Sequence, residues 1–448
     1  MCFADCRTAH AATRDSSGAY KLDSVVITAV PPFDWRHSVS SIQTIQLATL
    51  DGTTSLGSLL NEAQGIYIKN YGGGAALATV ATRGMYAEET TFLLDGIRIN
   101  SLQNGVVDLS KVPLLGISSL QINRGGGTIG FDEAAGGTVE LTTAPPPLTF
   151  TPQISAELGS FGQHAGSLLL PVITGGVATS VQASYNQATN DYDYSLNGIT
   201  GKRTSADYRI TSVQTHTLWT PSPANSDESH ELILSLLNSD QGVANAITST
   251  SVIAGSRQTD QDYYALLHSH WELSDSLPLE TSLHAAYSRE TFLDSSFFEN
   301  GAPLNSSYIN RQVDISARGS ALLPRNWQLR YGALGTVASI TSGDVYSTTR
   351  LQGEAYAGSD YTLDIHSGVI DDAVFRAVVR GDLNSDHVQT GALNNTSLIT
   401  GTVGTVLTLF DDHSMAVRAN IGTAGRTPTL NELYWIVGGN PNLRPDHS

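Results

Sequence analysis

Residues 372–383 read DAVFRAVVRGDL, and charged and apolar side chains alternate along this stretch. The charged positions are Arg376, Arg380 and Asp382, and the opposing small or apolar positions are Ala373, Phe375, Ala377 and Val379. Successive side chains of an extended chain point to opposite faces. The stretch therefore predicts a β-strand that separates a polar environment from an apolar one.

The same alternation recurs from Phe150 to about Gly422, in about 14 segments of roughly 10–15 residues divided by turn residues. Residues 263–273 (YYALLHSHWEL) and 413–422 (HSMAVRANIG) are further examples. A soluble sandwich also alternates, but so many long strands in one run favour a barrel. Because lipid offers no hydrogen bonds, only helices and closed barrels can cross it. We therefore expect a mainly β fold with an antiparallel transmembrane β-barrel.

The composition limits the classes of partner. The 448 residues include 42 acidic and 24 basic side chains, which give a formal charge of −18. Nucleic acid is not expected as a partner, since phosphate binding needs a basic face. No run approaches the roughly 20 apolar residues of a spanning helix. Both cysteines, Cys2 and Cys6, lie in the first six residues, so the remaining 442 residues contain none. The absence of free thiols suits an oxidising compartment.

Changes of pattern divide the chain into four parts. Residues 1–29 are expected to form a flexible arm, in which residues 8–12 look like the end of a signal peptide without its apolar stretch. Residues 30–143 combine one short helix with short strands and glycine clusters, as in a compact α+β domain. Three prolines make 144–149 a linker, and 150–448 carry the alternating strands.

The glycines at 125, 127 and 130 spell the dinucleotide fingerprint G-x-G-x-x-G. That motif requires a helix directly after the loop. Here Gly136 and Gly137 stand where the helix should run, and a strand-like segment follows. We therefore expect no nucleotide and no other cofactor, and interpret the glycines as tight turns of a compact domain.

The order of motifs resembles the plug domain of TonB-dependent outer-membrane receptors. The motifs are DSVVITA (23–29), GIYIKNYGGG (65–74), Arg83-Gly84, FLLDGIRIN (92–100), Arg124-Gly125 and AAGGTVELTT (134–143). Near the other end, NPNL at 440–443 resembles a late extracellular loop of these receptors. The chain departs from the family at residues 129–133 (IGFDE), where an aromatic-Gly step is usual, so contacts to ligand or barrel wall are expected to differ there.

The resemblance implies a plug followed by a barrel of about 22 strands. With about 14 predicted strands, the barrel is expected to be incomplete, and the chain to be a truncated or non-functional fragment. The periplasmic protein TonB is the implied partner. Its expected binding segment comprises Asp23, Ser24, Val25, Val26, Ile27, Thr28 and Ala29, which can add a strand to a partner's sheet.

The resemblance also implies residues that hold the plug in the barrel. Arg83 with Gly84, and Arg124 with Gly125, are expected to pair with carboxylates of the inner barrel wall. A salt bridge within the plug is the equal alternative. Asp95-Gly96 is expected to be a tight turn first and a functional contact second.

Two polar groups are weak candidates for metal ions. His268 and His270 could bind a metal together with Glu272, but are more typical of lumen-facing polar residues. Asp191 and Asp193, in the sequence Asn190-Asp191-Tyr192-Asp193, are similar to calcium-binding loops of cobalamin receptors. A solvated hairpin turn is the preferred interpretation of that stretch, so no metal is predicted.

The expected function is TonB-dependent uptake of a scarce chelate, of the cobalamin or ferric siderophore class, across the outer membrane. Haem is less favoured because residues 429–439 (TLNELYWIVGG) contain no histidine. Expected partners are TonB, the small chelate and outer-membrane lipid. The alternatives are a passive porin and a soluble adhesin-like β protein. No Ser/His/Asp or Cys/His set has persuasive spacing, so an enzyme is not expected.

Overall fold

The fold was obtained as a computed structural model with two connected parts. It describes residues 39–47, 55–61, 63–71, 76–112, 114–124, 135–196, 198–221, 228–243, 255–274, 277–299, 302–410 and 415–447. Within these ranges, no helix is both long enough and apolar enough to cross a membrane.

The first part, called the plug, comprises the described residues from 39 to 143. Its elements are β1 (Ser41–Gln46), α1 (Leu56–Asn61), β2 (Ile66–Asn70), β3 (Ala78–Thr82), a 3-10 turn (Ala87–Glu89), β4 (Thr90–Leu94), β5 (Ile97–Arg98), β6 (Ile117–Arg124) and β7 (Gly137–Thr143). Five strands form a sheet in the order β1-β6-β7-β4-β5, and β2 pairs with β3. The expected short helix and strands are confirmed.

The plug has its own apolar core, so it is a folded unit rather than a loop. Leu60, Phe92, Leu120 and Val139 are almost fully buried in that core. The predicted turn at Asp95-Gly96 joins β4 to β5, with positive φ angles of 49° and 80°. Such angles at both central residues favour Asp or Asn followed by Gly.

The second part is one antiparallel sheet of 13 strands, called the wall sheet. Its strands are β8 (Gln153–Leu158), β9 (His164–Thr174), β10 (Val177–Ala188), β13 (Tyr208–Trp219), β14 (Ser229–Val243), β15 (Ser256–Glu272), β16 (Pro278–Glu299), β17 (Ala302–Leu323), β18 (Trp327–Ser342), β19 (Thr348–Asp364), β20 (Ile370–Val388), β21 (Leu393–Leu409) and β22 (Met415–Thr423). A 3-10 turn (Ser160–Gly162) precedes β9, and a separate hairpin joins β11 (Tyr192–Leu196) to β12 (Ile199–Arg203).

The wall strands pair in chain order, from β8 at one edge to β22 at the other. Several are longer than the predicted 10–15 residues, and β16 and β17 each have 22. The linker leads into β8, and the end of the sheet on that side is called the linker end. The opposite end, which carries the β11–β12 hairpin and residues 424–447, is called the loop end.

Polarity in the wall sheet is reversed relative to a soluble protein. On β14, the outward Leu236 is 49% exposed, whereas its neighbour Ser235 is 4% exposed and faces the plug side. On β20, Phe375 and Val379 are exposed while Arg376 and Arg380 are buried. The predicted alternation is therefore confirmed. An exposed apolar outer face with a polar inner face is typical of a barrel surrounded by lipid.

The inner face of the wall sheet surrounds the plug. The plug, or the first linker residue, contacts strands as far apart as β13 and β22; the contacting pairs are Ala144 with His216, Lys111 with Asp260, Gln103 with Asn310, and Val39 with Asn420. The polar residues of the wall thus face the plug, and the interface between them is the candidate functional site.

Candidate functional site between plug and wall

Lys111 is the centre of an ion cluster between plug and wall. Its Nζ lies 2.7 Å from Oδ1 of Asp260 on β15, 3.6 Å from Asp108 of the plug and 3.8 Å from Glu290 on β16. Asp260 is only 2% exposed and also accepts a hydrogen bond from Ser239 Oγ, at 2.8 Å. The cluster joins elements 149 residues apart along the chain.

Charge compensation explains how a lysine is tolerated in this position. Burial by itself would lower the pKa of the Lys111 ammonium, but the carboxylates of Asp260, Asp108 and Glu290 outweigh burial and raise that pKa above its ordinary value. Lys111 therefore stays charged. A buried ion pair of this kind is costly to break by removing one partner.

The turn at Asp95-Gly96 is the second contact with the wall. A Cβ on Gly96 would overlap Nη1 of Arg318, so only glycine leaves room for this guanidinium. Glu280 on β16 holds Arg318, with 2.5 Å between Oε2 and Nε. The turn thus packs directly on a charged pair of the wall.

Asp95 itself is bound within the plug rather than to the wall. Its Oδ1 accepts a hydrogen bond from Thr143 N at 2.9 Å, and its Oδ2 accepts one from Thr143 Oγ1 at 3.0 Å. Burial raises the pKa of the Asp95 carboxyl to about 6, although the two bonds from Thr143 favour the ionised form. The carboxyl therefore titrates nearer to neutrality than an exposed aspartate does.

The arginines that the motifs indicated lie elsewhere. The Arg124 guanidinium hydrogen-bonds Gln43 of β1, inside the plug, because residues 41–46 pair alongside β6. Arg83 has a φ of 54°, is exposed, and forms no ion pair with any described residue. Gly84 follows it with a φ of 79°. The structure brings neither arginine to a wall carboxylate, and Lys111 occupies that role instead.

Two sets of predicted residues cannot be placed. Gly125 and the segment Asp23–Ala29 lie outside the described residues. Sequence reasoning missed Lys111, although one signal was available. It is one of only four lysines in the chain, and it lies at a loop of the plug.

The loop-end side of the plug is covered by residues 424–447, called the cap segment. It contains β23 (Gly425–Arg426), α2 (Leu430–Tyr434) and β24 (Asp446–His447). A capping box starts α2: Glu432 N donates to Thr429 Oγ1 at 3.2 Å, and Thr429 N donates to Glu432 Oε2 at 2.7 Å. This pattern fixes the start of the helix.

The cap segment binds both the plug and the wall. Leu430 N donates to Leu102 O at 3.1 Å, and Asn431 N donates to Gln103 O at 2.8 Å. The Gln103 side chain also accepts a hydrogen bond from Asn310 Nδ2 of β17, at 3.0 Å. An apolar cluster anchors the cap; its members are Tyr308, Ile340, Val345, Val388, Leu430, Leu433 and Tyr434.

The histidines and aspartates considered as metal ligands contact other side chains in the structure. His268 Nδ1 lies 2.9 Å from Ser282 Oγ, and His270 Nδ1 lies 3.9 Å from Glu280. Asp191 pairs with Lys202 at 3.1 Å, and Asp193 lies opposite Lys202 in the β11–β12 hairpin. In the part of the chain that the structure describes, no three such side chains are arranged to hold a metal ion.

Comparison with known proteins identifies relatives of both parts. Residues 32–139 match the model of the TonB-dependent Receptor Plug Domain. The chain is 24% identical over 427 residues to the vitamin B12 transporter BtuB of Vibrio vulnificus, covering 92% of this chain and 63% of the relative. It is 26% identical over 415 residues to the same transporter of Photobacterium profundum, covering 88% and 60%. The chain thus spans less than two thirds of the length of these relatives.

Solved structures of the same architecture extend the likeness to the wall. The FrpB iron transporter of Neisseria meningitidis (F3-3 variant) has a TM-score of 0.73 at 12% identity, over 87% of this chain and 66% of that protein. The copper transporter OprC has a TM-score of 0.71 at 14% identity, over 92% and 70%. At these identities the likeness concerns the fold.

Proposed function

Since this chain belongs to the TonB-dependent outer-membrane receptors, we propose that it takes part in active uptake of a scarce nutrient chelate, with cobalamin as the first candidate. The observation that carries the proposal is the plug seated against the inner face of the wall. A passive channel would need an open passage along the inner face of the wall, whereas here the plug packs on that face through Lys111 and the Asp95-Gly96 turn.

The nature of the plug–wall interface supports a movable plug. A dry apolar interface would hold the plug permanently, whereas a network of ion pairs and hydrogen bonds can exchange its partners for water when the plug shifts. Such a shift needs energy. We propose that TonB supplies it by pairing with residues 23–29, whose apolar triplet Val25-Val26-Ile27 suits strand addition to a partner's sheet.

The choice of cobalamin rests on the curated relatives. The two relatives described above are vitamin B12 transporters, and the likeness covers 92% and 88% of this chain. The structural neighbours include iron and copper transporters, so a ferric siderophore is the other ligand of this class to be tested. We propose that the ligand enters at the loop end and displaces the cap segment from Leu102 and Gln103.

Uptake of radiolabelled cyanocobalamin tests this proposal in cells that lack their own cobalamin receptor. Cells that express the chain should accumulate the label only when TonB is present. Val26→Pro should reduce uptake to the level of cells without TonB and leave surface binding unchanged, since proline removes a backbone donor from the added strand. Ala19→Pro, upstream in the same arm, is the matched control and should have no effect.

Two outcomes would contradict the proposed mechanism, and a third would contradict only the choice of cobalamin. Accumulation without TonB would indicate passive entry. Full uptake by the Val26→Pro variant would place TonB binding elsewhere. Binding of a ferric siderophore instead of cyanocobalamin would keep the transport mechanism and change the ligand.

A further inference from the structure

The outer face of β15–β18 carries an apolar belt. Paired outward positions include Leu283, Ile315, Val313 and Val337, which are 47%, 65%, 48% and 51% exposed. Exposed aliphatic side chains over neighbouring strands of a membrane barrel contact the hydrocarbon of the bilayer. The belt therefore defines the depth of the wall sheet in the membrane.

Aromatic rings lie on both sides of these aliphatic positions along the strands. At the linker end, the Trp271 ring lies 4.8 Å from the ring of His230. At the loop end, the rings of Tyr263 and Tyr287 stack at 5.9 Å with an interplanar angle of 11°. Tyr263 and Trp271 are eight residues apart on β15, which is about 27 Å along a strand. At a tilt of about 40°, this spans roughly 20 Å of the bilayer, close to the height of a barrel's apolar band.

Two arginines lie at the loop-end limit of the belt. Arg311 is paired with Tyr287 across β16 and β17, and its Cζ lies 5.9 Å from the Tyr287 ring centroid. Arg289 follows Tyr287 by two residues on the same outward face and is paired with Ile309. Arg289 and Arg311 are therefore diagonal neighbours on adjacent strands, and side chains as long as arginine can reach each other at this spacing.

The charges of these arginines are not neutralised by the described protein. Arg289 and Arg311 are both exposed, and neither forms an ion pair with a described residue. Arg257 lies on the same outward face, nearer the loop end, and its charge is neutralised by two aspartates. Its guanidinium is 2.7 Å from Asp240 and 3.1 Å from Asp207. An acidic chain of net charge −18 thus keeps two neighbouring cations at headgroup depth.

We propose that Arg289 and Arg311 bind the phosphate group of an anionic membrane lipid in the leaflet at the loop end. Guanidinium groups form strong, directional hydrogen bonds with phosphate oxygens. The Tyr287 ring positions Arg311 through a cation–π contact, and the acyl chains cover the aliphatic belt next to it. A lipid, rather than a free phosphate ion, is the occupant because the site continues directly into the belt.

Native mass spectrometry of the full chain in detergent micelles tests the site, with dioleoylphosphatidate as the anionic probe and dioleoylphosphatidylcholine as the zwitterionic comparison. Arg289→Gln and Arg311→Gln should each weaken phosphatidate binding about tenfold, the effect of one charged hydrogen bond. Tyr287→Leu keeps both charges and should weaken binding about threefold through the lost cation–π contact. Arg257→Gln is the matched control and should leave the affinity unchanged.

The proposal is wrong if the double variant Arg289→Gln/Arg311→Gln binds phosphatidate as tightly as the unmodified chain. It is equally wrong if Arg257→Gln weakens binding as much as the other two, since total charge alone would then explain the effect. Equal retention of phosphatidylcholine, which also carries a phosphate group, would show that the site does not select anionic lipid and would overturn the proposal. All three arginine side chains are exposed, so their replacement leaves the buried interface intact.

Discussion

At the scale of single residues, Lys111 joins the plug to the wall through carboxylates of both parts. Replacement by methionine keeps most of its volume but leaves Asp260 and Asp108 without their cation. We expect Lys111→Met to lower the free energy of unfolding by about 3–5 kcal/mol, the usual cost of an uncompensated buried charge. Urea unfolding of the full chain from detergent micelles measures it.

Lys202→Met is the control for this change. Lys202 forms an exposed pair with Asp191, so its replacement should cost less than about 1 kcal/mol. Adding Asp260→Leu to Lys111→Met should recover part of the loss, because the buried carboxylate is then removed as well. Equal effects of the two lysine replacements would show that the ion cluster does not hold the plug.

The raised pKa of Asp95 predicts that the stability of the folded chain depends on pH. Burial raises the pKa of its carboxyl from the ordinary 3.8 to about 6, so the folded chain binds this proton more tightly than the unfolded chain. Stability from this group is therefore fully present below about pH 4 and falls as the pH rises through about 6. The cost at pH 7 is up to about 3 kcal/mol.

Asp95→Asn removes this titration and keeps a side chain that tolerates positive φ. The difference in melting temperature, unmodified chain minus variant, should decrease between pH 4.5 and pH 7.5, a range that covers about 1.5 pH units on either side of the folded pKa. A difference that stays constant, or that increases with pH, would show that the carboxyl titrates normally in the folded chain.

At the scale of elements, α2 connects the cap segment to the plug. Burial would raise the pKa of the Glu432 carboxyl, but Arg426 and the capping bonds with Thr429 lower it to about 2. This carboxylate is therefore ionised at neutral pH. Its contribution to stability is present above the ordinary pKa of 4.5 and is lost only as the pH falls toward 2.

Thr429→Ala tests the capping box. Loss of the cap should cost about 1 kcal/mol and speed amide exchange in α2 about fivefold. The amides to follow are those of Leu430 and Asn431, which donate to the plug. Ser397→Ala, at an exposed position of β21, is the control. Unchanged exchange at residues 430 and 431 would mean that the helix start does not govern the contact.

At the scale of the whole molecule, the reversed polarity of the wall sheet predicts that the cost of a charge on its outer face depends on how deep in the membrane the charge lies. Val337 points outward in the middle of the belt. Thr341 points outward on the same strand and is paired with Ile309, which is paired with Arg289, so Thr341 lies at the depth of Arg289. Val337→Lys should destabilise the folded chain by about 2–4 kcal/mol, and Thr341→Lys by at most about 1 kcal/mol, because the cost of a charge falls toward the interface.

Unfolding in phospholipid vesicles measures this difference between the two lysine variants. Equal costs at both positions would mean that the outer face contacts water along its whole height, as in a soluble β protein. The same outcome would also remove the basis for a lipid site at Arg289 and Arg311.

The amino-acid sequence by itself determined the wall and the order of the two parts. The period of two in residues 372–383 is local information, since each side chain's face depends only on its position along the strand. That period correctly placed Arg376 and Arg380 on one face of the strand, which is buried, and Phe375 and Val379 on the other, which is exposed. The boundary between plug and wall was also predicted from local features, namely the three prolines after Ala144 and the order of the glycine motifs.

Only the tertiary structure decided which polar groups meet across the interface. For Arg124, a wall carboxylate and a salt bridge within the plug were equal expectations, and the pairing of β1 with β6 places it beside Gln43 of the plug. Lys111 and Asp260 are 149 residues apart, and their contact depends on strand register and on the seating of the plug. No local pattern contains that information, because a contact between distant segments is set by the packing of the whole chain.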